Sequence, residues 1–307
     1  MAETSRLTPG QFVEGLKDLA KFRGKPFGRL NGLQQAEADH ARQFVSKYRG
    51  YSALAAAGQC FVLETVEKVN TEVRPNVRLP LSEFYPQFVE RISHYFRTLR
   101  AADLIAKQGY PLHGYVLLRN LFDSVVLTAA AAQGITNFYK LEGIDPARPL
   151  DKSSFRKDRK KEERRVRAMM TGEVSDLSDV TRSELARWDS LFDDETHGAL
   201  LTRSQSVPWL KGESPLPFVP MLQNDIAAMH MNRYCEVSWM VHRLLPLVQP
   251  KGVPLSAGWK AKWKTLDACF NQAVATLTTT LNKPIGEAMV ELVQSKFPFG
   301  ADDSFWT

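Results

Sequence analysis

Hydrophobic residues recur along most of the chain at intervals of three and four positions, whereas alternating apolar and polar positions are nearly missing. The first spacing is typical of amphipathic α-helices and the second of strands. The sequence therefore predicts an all-α protein, a multi-helix bundle of about eight to ten helices. Helices are predicted over residues 11–22, 33–48, 52–70, 112–132, 152–170, 174–194, 221–248, 259–281 and 285–296, with another between residue 82 and the break at 109–111.

Two of these segments differ in their polarity. Residues 112–132 are hydrophobic almost all round, which predicts a helix at the centre of the bundle. The segment that starts near Ser82 has one broad apolar stripe, which predicts a core-facing helix; its members are Phe84, Phe88, Ile92, Tyr95, Phe96 and Leu99. Glycine and proline predict loops at 24–32 and 205–220.

Residues 152–170, KSSFRKDRKKEERRVRAMM, depart from this pattern because they contain few apolar positions and many charges. The chain has a net charge of +6, and the nine basic and three acidic residues between Lys152 and Arg167 account for all of it. The segment is predicted to be an exposed helical arm or partly disordered. We expect an N-terminal helical half (1–150), a basic insertion (151–172) and a C-terminal half (173–307) that packs on the first; two domains divided near residue 150 are the alternative.

Composition and motifs indicate where the protein is located and which classes of site the sequence lacks. The three cysteines are isolated and the N-terminus is polar, so we expect reduced thiols, no membrane span and a soluble, cytoplasmic protein. No P-loop, dinucleotide-binding glycine motif, HExxH, GxSxG or kinase motif is present. Neither a metal site nor a cofactor is predicted.

Arg119 and Asp123 stand out within GYVLLRNLFDSVVL, since they lie four positions apart on a helix that is otherwise apolar. A buried charge is costly without a partner, so these two should pair with each other or with another polar group. Two interpretations stay open: an internal ion pair that sets helix register, or an interior polar site.

A run of three acids precedes His197 in the sequence DDETHG, at the end of a predicted helix. Nearby carboxylates would raise the pKa of the histidine and orient its ring. The run is either an acidic helix end with an incidental histidine or part of a cluster with Arg119 and Asp123. In that cluster His197 could transfer protons and the arginine could hold a phosphate.

The LLRNLFD helix and the later THG segment resemble a bacterial family of helical proteins that is distantly similar to HEPN proteins. The resemblance covers about residues 83–202. It implies a helical protein that acts on RNA or a nucleotide in phage defence or a toxin system, with Arg119, Asp123 and His197 as catalytic residues. HEPN nucleases have an arginine four to six residues before a histidine; here the nearest arginine before His197 is Arg187, ten positions away.

The basic segment has two interpretations as well. It is a solvated charged arm, or it contacts nucleic acid with salt-sensitive, sequence-independent affinity. The predicted contacts are Lys157, Arg159, Lys160, Lys161, Arg164, Arg165 and Arg167. The alternative function is a non-enzymatic interaction protein whose basic arm binds nucleic acid or an acidic protein partner.

Overall fold

A computed structural model describes residues 25–76, 84–144, 152–196, 224–250, 253–281 and 283–301. These residues form ten α-helices and no strand, which confirms the all-α bundle. The helices are α1 (Lys25–Lys47), α2 (Arg49–Lys68), α3 (Phe84–Lys107), α4 (Pro111–Ala132), α5 (Phe138–Glu142), α6 (Lys152–Met170), α7 (Asp179–Thr196), α8 (Asn224–Leu244), α9 (Ala257–Leu281) and α10 (Lys283–Lys296).

The centre of the bundle is built by α4 and α8, which pack against each other. Helix α4 also contacts α3, α5, α6 and α7, so the predicted central position of residues 112–132 is confirmed. Helix α8 is buried even more completely, because every residue from 230 to 244 is buried. It contacts α2, α3, α9 and α10 as well as α4.

The stripe predicted on α3 faces the core. Phe88, Ile92, Tyr95 and Leu99 are buried, and Phe84 and Phe96 pack partly buried beside them. Helix α4 ends at Ala132, as predicted, and Gly134 follows with a φ of 73° that an L side chain rarely adopts.

The loop predicted over 24–32 is wrong for the described residues 25–32, which form the first turns of α1. Pro26 lies in the opening turn, where a missing N–H breaks no helical hydrogen bond. Gly28 and Gly32 each cost only about 1 kcal/mol relative to alanine, which the rest of a 23-residue helix can offset. The helix predicted over 11–22 and the loop over 205–220 lie outside the described residues.

The basic segment is the helix α6, and it packs against α4 and α5. Val166 and Met170 anchor it, since both side chains are fully buried in the core. Its N-terminal half, by contrast, is mostly exposed from residue 156 to residue 161. The segment is thus docked at one end and solvated along the other.

Among the described helices, α4 is the one with the length and hydropathy that a membrane crossing requires. Within its most apolar window, 61% is buried against the rest of the protein. This is what a core helix shows, and it matches the packing of α4 described above.

Candidate functional site

The first polar group of interest is the Arg119–Asp123 pair on α4. One turn of helix separates the two residues, and Arg119 Nη1 lies 2.7 Å from Asp123 Oδ1. The predicted pairing is therefore confirmed. The arginine side chain is only 7% exposed, and the aspartate side chain is 30% exposed, so the pair lies at the edge of the core rather than inside it.

Helix α7 supplies two more carboxylates to the same arginine. Arg119 Nη2 lies 2.7 Å from Asp189 Oδ1 and 3.1 Å from Asp193 Oδ1. Asp193 is the first residue of the predicted acid run, so that run does reach Arg119 through this residue. His197 lies outside the described residues, and its meeting with Arg119 and Asp123 stays a prediction.

Helix α6 completes the group with Arg167, which donates a hydrogen bond to Asp123 and has Nη1 3.7 Å from Asp189 Oδ2. Burial and the neighbouring Arg119 lower the pKa of Arg167, while Asp189 and Asp193 oppose that shift. Two arginines and three aspartates thus join α4, α6 and α7. We call these five residues, Arg119, Asp123, Arg167, Asp189 and Asp193, the Arg119 cluster.

Beside the Arg119 cluster lies an open cleft of about 640 Å³ between α3, α4, α5 and α6. Helix α6 forms its most charged wall. The cations that line it are Arg91, Arg159, Lys160, Arg164 and Arg167. The acids that line it are Asp123, Glu142 and Glu163. We call this space the basic cleft.

Three of the five cations in the basic cleft have carboxylate partners. Arg91 pairs with Glu142 at 3.0 Å, Arg159 pairs with Glu163 at 2.9 Å, and Arg167 belongs to the Arg119 cluster. Lys160 and Arg164 are exposed, and no carboxylate in the described part of the chain pairs with either. These two side chains are consequently available to an anion that enters the cleft.

The other residues predicted to contact nucleic acid have different surroundings. Lys157 and Lys161 are exposed and lie outside the lining of the cleft. Arg165 is tied down: its Nη2 lies 2.6 Å from Glu162 Oε1 and 2.9 Å from the Ile135 carbonyl. The hydrogen bond from Arg165 is the main reason that the pKa of Glu162 falls to about 2. Arg165 therefore holds α6 against the turn that precedes α5.

Sequence reasoning missed a third polar group, which lies inside the bundle on α8. Arg233 binds both oxygens of Glu236, with Nη1 2.8 Å from Oε2 and 3.1 Å from Oε1. Its Nε donates to the Tyr115 hydroxyl at 3.1 Å, and its guanidinium lies 4.7 Å from the Trp188 ring centroid. Burial raises the pKa of Glu236, and Arg233 opposes that shift. The available signal was an arginine and a glutamate three positions apart in a helix whose apolar residues occupy every side.

Within the described ranges, no group of three or more histidines, cysteines, aspartates or glutamates is arranged to hold a metal ion. Comparison with known proteins found no matching family model, and no match among curated proteins or solved structures.

Proposed function

We propose that this helical protein binds RNA or a nucleotide through phosphate groups that occupy the basic cleft. One observation carries the proposal: Lys160 and Arg164 project into the cleft from α6, and no carboxylate among the described residues neutralises them. Every other cation in that lining is already paired. A phosphate group supplies the counter-charge that this pair of side chains lacks.

The surroundings favour recognition of the backbone over recognition of base sequence. Lys160 and Arg164 are four residues apart, so about 6 Å of helix separates them along the axis. No aromatic side chain lines the cleft within the described residues, so base stacking is not supplied there. We therefore expect affinity that depends strongly on salt and weakly on sequence.

The narrower proposal is a HEPN-like protein of the bacterial cytoplasm that acts on RNA, in phage defence or a toxin system. The position of the Arg119 cluster supports this proposal, because Asp123 and Arg167 belong both to the cluster and to the wall of the basic cleft. Arg119 itself is occupied by three carboxylates. Its role in this proposal is to position Asp123 and α7, and proton transfer is assigned to His197, four residues after Asp193.

Binding is tested with a fluorescently labelled single-stranded RNA and anisotropy titrations at several salt concentrations. We expect Lys160→Gln with Arg164→Gln to weaken binding at least tenfold. The slope of log K against log salt should fall by about 1.4, since each lost phosphate contact on a single strand contributes about 0.7.

The matched control is Lys262→Gln with Lys283→Gln, which removes the same charge from α9 and α10, outside the lining of the cleft. Equal losses in the two double variants would mean that net charge, and not the cleft, attracts RNA. No binding by the wild type would remove the proposal.

Cleavage is tested separately by incubating total RNA with the wild type and with His197→Ala. The HEPN-like proposal expects cleavage by the wild type and its loss in the variant, because the imidazole would transfer the proton. Identical, negligible cleavage by both would remove the nuclease while leaving phosphate binding in place.

A second candidate, docking of an acidic protein partner, is favoured by one observation. Lys157 and Lys161 are exposed on α6 and do not line the basic cleft. Cations on such an open helix face can pair with carboxylates of another protein. Lys157→Gln with Lys161→Gln should then weaken binding of a polyglutamate peptide while leaving RNA affinity within about twofold; equal loss of both would remove this candidate.

A further inference from the structure

Two helices line the basic cleft with polar side chains of different charge. Helix α6 contributes Lys160 and Arg164, which no carboxylate in the described part of the chain pairs with. Helix α4 contributes Asn120, Asp123 and Ser124. These three residues lie within about one turn of α4 and therefore share one face of the helix. We call them the α4 strip.

The α4 strip does not attract phosphate as α6 does. Its middle member, Asp123, has a side chain that is 30% exposed and belongs to the Arg119 cluster. That cluster contains two arginines and three aspartates, so its net charge is −1. Because like charges repel, the phosphate groups of a ligand should lie against α6, and the part of the ligand that faces α4 should be uncharged.

The two neutral members of the α4 strip can form hydrogen bonds with a hydroxyl group. Asn120 is exposed, and its amide makes no hydrogen bond with another described residue. An amide side chain both donates and accepts, as a hydroxyl group does. The Ser124 hydroxyl donates to the Tyr95 hydroxyl at 3.3 Å, which leaves the serine oxygen able to accept. The α4 strip thus matches a neutral ligand group that can donate as well as accept.

We propose that the α4 strip binds 2′-hydroxyl groups of an RNA strand whose phosphates lie against Lys160 and Arg164, so that the basic cleft selects RNA over DNA. This inference rests on the proposed phosphate binding and adds the class of nucleic acid. A ribose–phosphate backbone alternates anionic phosphates with sugars that have a neutral hydroxyl, as the two helices require. Deoxyribose lacks the 2′-hydroxyl and would leave the Asn120 amide without this partner.

The test is anisotropy titration of the whole protein with three short, labelled single strands of equal length: oligouridylate, its 2′-deoxy counterpart and its 2′-fluoro counterpart. All three have the same base and the same phosphates, and only the first has 2′-hydroxyl groups. Oligouridylate should bind at least fivefold more tightly than the other two, since one net hydrogen bond changes affinity by roughly two- to tenfold. The 2′-fluoro strand keeps the sugar pucker of RNA and so separates the hydroxyl contact from backbone shape.

The variants should separate the two helices. Asn120→Ala should weaken oligouridylate binding about fivefold and leave binding of the deoxy strand unchanged. Lys160→Gln with Arg164→Gln should weaken both strands by the same factor, because both have phosphates. The matched control is Asn31→Ala, which removes an exposed amide from α1 outside the lining of the cleft and should bind as the wild type does. Circular dichroism confirms that each variant is folded.

Four results would overturn the inference. If the wild type binds all three strands equally, or binds the 2′-fluoro strand as tightly as RNA, the hydroxyl contact is wrong and phosphate binding survives. An equal loss for RNA and DNA in Asn120→Ala would mean that the amide contacts a phosphate or a base. A preference for RNA that Asn120→Ala retains would place hydroxyl recognition outside the α4 strip. If no strand binds, both proposals fall.

Discussion

The protein holds two arginine–carboxylate groups that differ in how far they lie from solvent. On α8, Arg233 and Glu236 are 9% and 0% exposed, and the Tyr115 hydroxyl accepts a hydrogen bond from Arg233 Nε. In the Arg119 cluster the arginine is 7% exposed, but the carboxylates of Asp189 and Asp193 are 38% and 52% exposed. The chemistry is the same, and the environment is not.

This difference separates a structural role from one that can serve binding. The α8 pair satisfies its charges internally, so its expected contribution is to the stability of the bundle. The Arg119 cluster has carboxylates that water reaches, and it borders a cleft with two cations that no carboxylate in the described part of the chain pairs with. The buried α8 pair is therefore weak evidence for a functional site. The Arg119 cluster, at the edge of the core, is the better candidate.

The largest expected effect on stability comes from the Arg233–Glu236 pair at the centre of the bundle. Arg233→Met leaves the fully buried Glu236 without its partner, which should lower the free energy of unfolding by about 3 to 5 kcal/mol. Urea unfolding followed by circular dichroism measures it. Arg233→Met with Glu236→Leu should recover most of the loss, since neither charge of the pair remains. A loss no larger than that of Arg119→Met would show that the two groups are alike.

The next effect is a pH dependence that also originates on α8. Burial lowers the pKa of His230 to about 4 and that of His242 to about 3, below the usual 6.5. The unfolded chain then binds protons that the folded chain does not. The contribution of these two histidines to stability is therefore fully present above pH 6.5, and it is lost as the pH falls toward the folded pKa. Between pH 6.5 and 5 each histidine should lower the free energy of unfolding by about 2 kcal/mol.

This pH dependence is measured by urea unfolding at pH 7, 6 and 5. His242→Asn should flatten the slope, because one of the two titrating groups is gone. The exposed His94 supplies the control, and His94→Gln should keep the wild-type slope. A wild-type stability that is constant from pH 7 to 5 would contradict the expectation.

The smallest of the three effects is at the Arg119 cluster. Arg119→Met leaves carboxylates that still contact water and Arg167, so the free energy of unfolding should fall by only about 1 kcal/mol. RNA affinity should fall as well, because Asp123 and α7 lose their shared anchor at the wall of the basic cleft. Paired unfolding and anisotropy measurements on this variant separate the two effects. If Arg119→Met bound RNA with wild-type affinity, the Arg119 cluster would have no effect on binding in the basic cleft.

Much of the bundle could be predicted from the sequence because helix periodicity is a local property. The stripe on α3, the apolar α4 and the Arg119–Asp123 pair all involve residues within a few turns of each other, and each prediction was confirmed. The loop predicted over 24–32 was wrong for the described residues 25–32, because the 23-residue helix that they begin outweighs the local preference of Pro26, Gly28 and Gly32. The catalytic roles of Arg119, Asp123 and His197 stay predictions.

The candidate site could be predicted only in part. The unusual charge of 152–170 pointed to α6, and Lys160 and Arg164 were among its predicted contacts. Nothing in the sequence distinguished them from Arg165 or Arg167, which have the same charge but are occupied by Glu162 and Asp123. The partners Arg91 and Glu142 come from distant segments, so neither was expected.

What the sequence by itself determined is the helical period, the central apolar helix and the place along the chain where positive charge concentrates. Only the tertiary structure decided which charges are neutralised, that Val166 and Met170 dock the basic helix, and that α8 is buried on every side. The physical reason is range: backbone propensity acts between neighbours in the chain. Burial and ion pairing act between residues that are neighbours in space. The periodicity of the sequence does not show which residues those are.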